Sequence, residues 1–550
     1  MEQRLDLRST PRAAAAAAHR RDWAAFALVV LLCAPLAWSA SLHGGYWYSD
    51  APRHALNGAF VLDLLRELPW RAPQQWAMDY YAQYPALTVL FYPPALSAVL
   101  AGFYAVLGVS PQTAQIAVLA TYLAAVAAAF AIGRRLVGTA AAVGLAVAFA
   151  YLPEVALWGR QVMLEMPTYA CLLWCAYFVI RALDTGRVRD AVWAIALAVL
   201  ALYGKQTAVA VLAALFGVLF LVRRELLRAP RVWWAVLAAA LLLVPLAWMT
   251  LHFGQTNMQS VLAVPDTAAS RRTLAGWLWY ARQLPQQAGW PLALAGGAAL
   301  LAVPFVAITA RLRTVGWLLV AWFLATYLFF SYIELKDARF TIFLLFPLLL
   351  ACALVVERLG GRRVCALAMA ALAAQLAALT LLERPVPVVD GYRDAADWIV
   401  QRDPAGATMM FSGYRDGSFI FNLRSLDADR RFRVIRSDKV LLRVAVRREA
   451  GVDERKVTMA DLDRFFHDYG VKYVVLEPRF WSDLQNMRML ADYVESPRFE
   501  RLHTVPVRAR PQQNERELRI YESRMPRSDK PRPLTIDLDM IGRSVTSDGQ

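Results

Sequence analysis

The amino-acid sequence predicts a polytopic α-helical membrane protein with a small extracytoplasmic α/β domain at its C-terminal end. The membrane part is predicted because 58% of the 550 residues are hydrophobic and because apolar runs of about 20 residues recur as far as residue 383. The second domain is predicted because charges become frequent after residue 384 and the apolar runs shorten to strand length.

The net charge of +16 fits a membrane protein better than a nucleic-acid-binding protein. Arginine clusters recur in alternate short loops between the apolar runs, where positive charge marks the cytoplasmic side of a membrane protein. The clusters are Arg134 and Arg135; Arg181, Arg187 and Arg189; Arg223, Arg224, Arg228 and Arg231; Arg311 and Arg313; and Arg358, Arg362 and Arg363. We therefore expect no nucleic acid among the partners, and we place the N-terminus, residues 1–21, in the cytoplasm.

The first apolar segment, residues 22–42, has the flanks of a signal peptide, since basic residues precede it and Ala37, Ser39 and Ala40 close it. Its apolar length, however, exceeds the hydrophobic region of a usual signal peptide. We interpret this segment as an uncleaved membrane anchor, and a cleaved signal peptide is the alternative.

Further apolar runs follow the first, and together they predict about eleven transmembrane helices over residues 22–383. The runs are 112–133, 137–157, 167–183, 190–203, 206–222, 232–252, 290–310, 314–333, 340–356 and 364–383. An odd number of spans places the C-terminal domain on the side opposite to the N-terminus. For a bacterial inner (plasma) membrane protein, that side is the periplasm.

Whether the number of spans is odd or even depends on the segment at 86–109. Pro93 and Pro94 interrupt it and leave only about 15 apolar residues before Gly108. We predict an interfacial or re-entrant helix within a first periplasmic loop of residues 43–111. The alternative is an ordinary span that is offset by a miscounted neighbour.

The C-terminal domain is predicted to cover residues 384–523 with a mixture of helices and strands. Helices are predicted at 394–401 and 461–469, and strands at 408–411, 472–476 and 517–521. The tail at 524–550 is rich in Pro, Ser, Asp and Arg, and this composition predicts disorder. The sequence has no G-x-G-x-x-G motif and no P-loop, so nucleotide binding is not expected.

Under this topology, polar residues from separate loops share the outer face of the membrane. Asp50 follows the first span, and Glu165 precedes Pro167 at the start of a predicted helix, where the helix dipole favours an anion. The other polar residues on this face are Arg53, His54, Asn57, Arg160, Gln161, Lys205, Arg282, Lys336, Asp337 and Arg339.

These residue types can support the transfer of a group from a lipid phosphate. A carboxylate can deprotonate an acceptor hydroxyl or amine while cations neutralise the departing phosphate. The alternative is that the same residues are interfacial anchors or ion pairs that close loops, because Lys and Arg often lie at helix ends. Lys336 and Asp337 in particular are close enough in sequence to form a simple ion pair.

At these residues the chain resembles the GT-C membrane glycosyltransferases, specifically the superfamily of the protein O-mannosyltransferases and the lipid A aminoarabinose transferases (glycosyltransferase 39 and 83 types). The resemblance covers residues 22–383. Each motif is short, so the resemblance rests on the order of the motifs and on their location on the same side of the membrane. The motifs are Asp50 in the first outer loop, Tyr92-Pro93-Pro94, Glu165-Met166-Pro167, Lys205 after a short span, and Arg339-Phe340 with Pro347.

The resemblance implies an inverting glycosyltransferase that moves a sugar from a polyprenyl-phosphate donor to an envelope acceptor, which is a lipid, a glycan or a protein. It implies Asp50 as the general base and Glu165 as a residue that holds the acceptor or a metal. The implied ligands of the donor phosphate are Lys205, Arg282 and Arg339, and the predicted supporting residues are Arg53, His54, Tyr92 and Arg160.

The sequence differs from the family pattern at two places, and these differences bear on the implied activity. Many relatives carry a second acid directly after the first, where this chain has Ala51, and the aminoarabinose transferases carry Glu-Lys before the double proline, where this chain has Phe91-Tyr92. The aminoarabinose activity is therefore not predicted. No cofactor is required by the sequence, and a divalent metal, if one binds, is expected at Asp50 and Glu165.

The main alternative function is a transporter or flippase of a lipid-linked glycan, because many spans and basic outer loops also suit that task. Transporters tend to have internal repeats and polar residues in broken helices near the middle of the membrane, and neither feature is clear in this sequence. A second alternative is a sensor or assembly protein in which the C-terminal domain is the working part.

Overall fold

The computed structural model of the chain describes residues 11–254, 269–306, 309–444, 448, 451–528, 532–533, 535–538 and 543–546. Within these ranges the chain is helical as far as residue 383, and a domain that contains strands and helices follows. The predicted fold class, a polytopic helical membrane protein with a C-terminal α/β domain, is confirmed. Residues 1–10 of the predicted cytoplasmic N-terminus lie outside the described residues.

Some helices of the N-terminal part begin at a capping side chain. At the start of α5, for example, the Ser110 hydroxyl accepts a hydrogen bond from the backbone N–H of Thr113 at 3.1 Å, and Pro111 occupies the first turn. The helices are α1 (Pro11–Trp38), α2 (Asp50–Glu67), α3 (Pro73–Gln83), α4 (Ala95–Leu107), α5 (Pro111–Val137), α6 (Thr139–Ala150), α7 (Pro153–Gly159), α8 (Glu165–Thr185), α9 (Val188–Gly204), α10 (Val209–Val222), α11 (Pro230–Phe253), α12 (Leu274–Ala288), α13 (Trp290–Val306), α14 (Ala310–Tyr332) and α15 (Leu345–Ala378). Short 3-10 helices cover Gln206–Ala208, Arg224–Arg228 and Ala338–Leu344, and a π-helix covers Leu379–Glu383.

Among the described residues, six helices are long and apolar enough to cross a membrane. A seventh span arises if α6 and α7, which are bent by 68°, are counted as one broken span. Every predicted span overlaps a helix, but α9 and α13 have only 17 residues each. The multi-pass membrane architecture is confirmed, and the count of about eleven spans stays a prediction. The six helices are His19–Trp38, Pro111–Val137, Glu165–Thr185, Pro230–Phe253, Ala310–Tyr332 and Ala338–Glu383.

The last of these helical runs is broken at Gly361. This residue has φ 77° and ψ 177°, which lie outside the helical region, and glycine adopts a positive φ without steric cost. The break falls between the predicted spans at 340–356 and 364–383. Two predicted helices are therefore joined end to end by a turn at one glycine.

Helix α4 lies in the segment 86–109, on which the predicted odd number of spans depends. It has 13 residues and begins directly after Pro94. At 1.5 Å per residue its length is about 20 Å, which is shorter than the hydrocarbon core of a bilayer of about 30 Å. This length agrees with the interfacial or re-entrant interpretation, which stays a prediction.

Helices α6 and α15 contact each other along their backbones at Gly144. A Cβ atom at this position would lie 2.7 Å from the carbonyl carbon of Met369 and 2.8 Å from the backbone nitrogen of Ala370. No rotamer change relieves such a contact, so the two helices would have to separate. We expect Gly144→Ala to lower the free energy of unfolding by about 1–3 kcal/mol, the usual cost of overpacking a core. Thermal unfolding of the protein in detergent measures this change.

Gly217 in α10 is the matched control for this substitution. A Cβ atom at Gly217 would meet no other atom within 4 Å. Because alanine favours a helix more than glycine does, Gly217→Ala should leave the stability unchanged or raise it slightly. Equal stability for the two variants would contradict the tight contact at Gly144.

The C-terminal domain contains eleven strands and five helices among its described residues. The strands are β1 (Val388–Asp390), β2 (Thr408–Ser412), β3 (Arg433–Arg436), β4 (Leu442–Val444), β5 (Val452–Glu454), β6 (Val471–Leu476), β7 (Phe499–Pro506), β8 (Arg508–Arg510), β9 (Glu517–Ser523), β10 (Thr535–Leu538) and β11 (Arg543–Thr546). The helices are α16 (Tyr392–Arg402), α17 (Asp416–Leu426), α18 (Ser437–Leu441), α19 (Met459–Asp468) and α20 (Gln485–Val494).

The centre of this domain is a five-stranded sheet with the strand order β3-β2-β6-β9-β7. Strand β2 is parallel to β3 and β6, whereas β9 is antiparallel to β6 and β7. The predicted helices correspond to α16 and α19, and the predicted strands correspond to β2, β6 and β9. Each of these elements is confirmed, with ends that differ by about two residues at most.

Part of the tail that was predicted to be disordered forms a hairpin, because β10 pairs with β11 in antiparallel register. Gln75 of α3 donates a hydrogen bond to the backbone carbonyl of Thr546 at 3.2 Å. Alternation of polar and apolar residues at 535–538 favours a strand, which the composition alone does not reveal. Residues 529–531, 534, 539–542 and 547–550 of the tail lie outside the described residues.

Candidate active site

Asp50 is the first residue of α2, and its carboxylate lies in the first turn, where the helix dipole stabilises negative charge. Oδ2 of Asp50 lies 3.4 Å from Nη1 of Arg339. The hydroxyl of Tyr92, in the segment before α4, lies near the same carboxylate and helps to lower its pKa. The side chain of Asp50 remains 24% exposed. Three elements that are distant in sequence therefore meet at an acid that a ligand can reach.

The pKa of Asp50 lies below its ordinary value. Burial acts to raise this pKa, but the interactions with His54, Arg339, Arg53 and Tyr92 lower it by more. The carboxyl group is therefore ionised over the whole physiological pH range, which is the protonation state that a general base needs.

His54 lies one turn further along α2 and is buried. Its ring packs against the ring of Tyr92, with 4.6 Å between the centroids. Burial lowers the pKa of His54 to about 4, although the neighbouring Asp50 and Glu165 act to raise it. The imidazole is therefore uncharged at neutral pH and lies beside Asp50 as a neutral ring.

Glu165 is the first residue of α8 and is almost completely buried. Its Oε1 accepts a hydrogen bond from Nζ of Lys205 at 2.9 Å, whereas its Oε2 has no hydrogen-bond partner among the described residues. Lys205 follows α9, and its ammonium group lies 5.2 Å from the centroid of the Phe340 ring. A buried carboxylate oxygen without a partner is costly, and a bound ligand is one way to satisfy it.

Arg339 lies in the 3-10 helix Ala338–Leu344. Besides Asp50, it pairs with Asp337, with 2.9 Å between Nε and Oδ2. Its charge also acts on Glu165. The side chain of Asp337 in turn accepts a hydrogen bond from the backbone N–H of Arg339 at 3.0 Å. This arrangement fixes the start of the 3-10 helix and holds the guanidinium group beside Asp50.

The structure thus brings most of the predicted site residues into one cluster. Arg339 acts electrostatically on Asp50 and on Glu165, and His54 interacts with both acids and with Lys205. The cluster contains two acids, two cations, a neutral imidazole and a phenol. Its members are Asp50, His54, Tyr92, Glu165, Lys205 and Arg339.

Two predicted supporting residues point away from this cluster. Arg53 forms two hydrogen bonds with the carboxylate of Asp416 in the C-terminal domain, at 2.8 and 2.9 Å. Arg160 is buried, and it donates to the backbone carbonyl of Ala156 at 2.8 Å and to the hydroxyl of Ser39 at 2.9 Å. Both arginines therefore hold parts of the fold together around the cluster.

Arg282, a predicted ligand of the donor phosphate, is exposed on α12. Within the described part of the chain it has no ion pair or hydrogen bond to another side chain. It lines an apolar groove of about 420 Å³ between α12 and α13. The apolar side chains of this groove include Leu278, Leu284, Pro285, Trp290 and Leu294.

Lys336 does not pair with Asp337 and does not join the cluster. Its ammonium group donates to the backbone carbonyls of Phe330, Ser331 and Ile333 at 3.3, 2.6 and 2.5 Å. These carbonyls lie at the end of α14, where helix carbonyls lack partners within the helix and the dipole favours a cation. The role of Lys336 is to cap this helix.

Glu154 is an acid near the cluster that the sequence analysis missed. It lies in the first turn of α7, and its carboxylate accepts a hydrogen bond from Nε1 of Trp158 at 2.7 Å. Its charge interacts with Glu165 and Asp337. Pro153-Glu154 interrupts an apolar run and is typical of a helix start. Glu154 was not predicted as a site residue because it falls within the predicted span at 137–157.

A divalent metal at Asp50 and Glu165 stays a prediction. No group of three or more His, Cys, Asp and Glu side chains in the described ranges is arranged to hold a metal ion. Asp50 and Glu165 instead have Arg339 and Lys205 as direct cationic partners.

The chain is similar in sequence profile and in fold to known proteins. Residues 92–248 match the sequence profile of the family described as dolichyl-phosphate-mannose-protein mannosyltransferase. The crystal structure of ArnT from Cupriavidus metallidurans bound to undecaprenyl phosphate is similar with a TM-score of 0.59 and 14% sequence identity, over 90% of this chain and 97% of that chain. The chain has the GT-C glycosyltransferase fold. The resemblance predicted from the sequence is therefore confirmed.

A second solved structure with this fold is the archaeal oligosaccharyltransferase AglB from Archaeoglobus fulgidus, in complex with an inhibitory peptide and a dolichol-phosphate. It is similar with a TM-score of 0.51 and 14% identity, over 86% of this chain and 71% of that chain. Among curated proteins, none matches the chain in sequence. The family match includes Tyr92, Glu165 and Lys205, whereas Asp50 and Arg339 lie outside its bounds.

Proposed function

We propose that this GT-C protein is an inverting glycosyltransferase that transfers a sugar from a polyprenyl-phosphate donor to an acceptor of the bacterial envelope, on the periplasmic side of the inner membrane. The observation that carries the proposal is the cluster in which Arg339 lies 3.4 Å from Asp50 and Lys205 lies 2.9 Å from Glu165. Paired acids and cations at one site match the charges of a reaction that releases a phosphate.

In the proposed reaction, the Asp50 carboxylate takes the proton of the acceptor hydroxyl or amine. The acceptor oxygen or nitrogen then forms a bond with the anomeric carbon of the donor sugar. The bond between that carbon and the phosphate oxygen breaks, and its electron pair stays with the polyprenyl phosphate. Attack from the face opposite to the leaving group inverts the anomeric configuration. Arg339 and Lys205 stabilise the charge that develops on the phosphate.

The ion pair between Asp50 and Arg339 makes the basicity of Asp50 depend on donor binding. While Arg339 pairs with Asp50, the pKa of the carboxyl group is low and the group is a weak base. A donor phosphate that binds Arg339 would compete with Asp50 for the guanidinium group, and the basicity of Asp50 would then rise. The base is strengthened only when the donor is in place, which limits unproductive proton transfer.

The groove at Arg282 is the proposed entry of the donor from the membrane. Its apolar lining by α12 and α13 suits a polyprenyl chain, and Arg282 supplies a cation for the phosphate. The unpaired Oε2 of Glu165 is the proposed contact for the acceptor.

The test uses the full chain in lipid nanodiscs with a panel of radiolabelled sugars linked to undecaprenyl phosphate, and an extract of envelope lipids, glycans and proteins as the acceptor source. We expect one sugar to move to an acceptor with release of free undecaprenyl phosphate. A reaction without the extract is the control. Movement of intact donor across a vesicle membrane without release of undecaprenyl phosphate would support a flippase and overturn the proposal.

A further inference from the structure

We propose that the C-terminal domain is a positioning part of the active site, and that Asp416 of this domain holds the helix that carries Asp50. The inference rests on the proposed function, in which Asp50 is the base. It follows from the contacts of one segment, residues 44–67, which contains Asp50 and the whole of α2. From its first residues to its last, this segment is bonded to the C-terminal domain.

The residues just before α2 are held through their backbone. The guanidinium group of Arg415 donates to the carbonyl of Tyr46 at 3.4 Å and to the carbonyl of Trp47. The side-chain amide of Asn422 donates to the carbonyl of Gly44 at 3.4 Å. These bonds fix the path of the chain directly before Asp50, whatever side chains the segment carries.

A second contact fixes the first turn of α2. Arg53, three residues after Asp50, forms two hydrogen bonds with the carboxylate of Asp416 at 2.8 and 2.9 Å. Arg436 binds the same carboxylate at 2.7 Å. Both bonds of Arg53 come from one nitrogen, Nη2, and together with the bond from Arg436 they are charge-assisted and therefore strong. The bond to Asp416 therefore restrains the first turn of α2, which carries Asp50.

A third contact holds the far end of α2. Asp63 and Arg424 form an ion pair of 2.7 Å with side chains that are only 6% and 4% exposed. The Tyr80 hydroxyl donates to the same Asp63 carboxylate at 2.9 Å. Helix α17 thus runs alongside α2, from Asp416 at one end to Arg424 at the other.

The opposite face of α2 packs on the membrane part. A Cβ atom at Gly58 would lie 2.5 Å from Cβ of Leu100 in α4. Helix α2 is therefore enclosed between α4 and α17. Because the C-terminal domain forms one of these two walls, a shift of the domain moves the carboxylate of Asp50 relative to Arg339 and Glu165, which belong to the membrane part.

The test compares Asp416→Asn with Asp403→Asn in the full-length protein. Asp403 is the matched control, because it pairs with Lys472 inside the same domain and has no contact with residues 44–67. Hydrogen–deuterium exchange should become about tenfold faster or more at residues 44–58 in Asp416→Asn. Release of undecaprenyl phosphate should slow by about 10- to 100-fold with an unchanged KM for the donor. Neither change is expected in Asp403→Asn.

Other outcomes of these experiments also bear on the proposal. Asp416→Glu keeps the charge and should recover most of the rate. Unchanged exchange at residues 44–58 in Asp416→Asn would overturn the proposal, and so would faster exchange without a loss of rate. If Asp50→Asn itself is fully active, the proposed function fails, whereas an inactive Asp50→Asn with a fully active Asp416→Asn refutes only the positioning role.

Discussion

Replacing Asp50 with Asn is expected to reduce sugar transfer by about 10²- to 10⁴-fold, the usual contribution of a general base. The amide has nearly the same shape as the carboxylate but cannot accept the acceptor proton. Arg339 keeps Asp337 as a partner at 2.9 Å, so the substitution leaves no buried charge unpaired. Release of undecaprenyl phosphate measures the loss, and the amount of protein in the membrane fraction shows that insertion is normal.

Asp337→Asn is the matched control for this prediction, because Asp337 also pairs with Arg339. An asparagine side chain can still accept the hydrogen bond from the backbone N–H of Arg339 that Asp337 accepts now. We expect less than about a tenfold loss of transfer from this change, which alters the charge around Arg339 but removes no base. Equal losses in the two variants would show that Asp50 acts only through Arg339.

The pH dependence gives an independent check on the base. Because the pKa of Asp50 is lowered by its neighbours, the carboxyl group loses its charge only in acid below its ordinary range. The rate should therefore not fall through titration of Asp50 between pH 5 and 8. Arg339→Gln removes one of the charges that lower this pKa, so the acid limb of kcat/KM should move to higher pH. An acid limb that stays in place would argue against Asp50 as the group that titrates.

The individual members of the cluster were predictable from the sequence, but their pairing was not. Asp50, Glu165, Lys205 and Arg339 could be identified because each lies at the end of a predicted span on one face of the membrane. The pair of Asp50 and Arg339 joins residues 289 positions apart, and no local pattern records which cation meets which acid. That information becomes available only when the helices pack.

Arg53 is another residue whose partner could not be predicted from the sequence. As a cation three residues from Asp50 it resembled a site residue, yet it binds Asp416, which belongs to a different domain. The strands and helices of that domain were predictable because hydrophobic periodicity is a local signal. The docking of α17 on α2 depends on contacts across more than 350 positions in the sequence, which local periodicity does not contain.

Replacing Lys205 with Met is expected to lower the free energy of unfolding by about 3–5 kcal/mol, because the carboxylate of Glu165 would be left buried without its cation. The Glu165 side chain is only 2% exposed, and Lys205 binds its Oε1 at 2.9 Å. Met retains most of the volume of the lysine chain, so loss of packing contributes little. Thermal unfolding in detergent measures the change.

Lys472→Met is the control for the loss of a lysine. Lys472 pairs with Asp403 in the C-terminal domain, where the two side chains are 25% and 13% exposed. Water can solvate this carboxylate after the change, so the expected loss is below about 1 kcal/mol. A similar loss in both variants would contradict the buried character of the pair at Glu165.

The double variant Lys205→Met with Glu165→Gln separates stability from chemistry. Removing both charges should restore most of the lost stability, because replacing a buried ion pair by neutral groups of similar volume is often neutral or stabilising. If the pair serves only to join the start of α8 to the end of α9, the double variant should also regain transfer. We expect it to be folded and inactive, because Lys205 is needed for the leaving phosphate and Glu165 for the acceptor. A stable and active double variant would reduce both residues to a structural role and leave Arg339 as the cation that meets the donor.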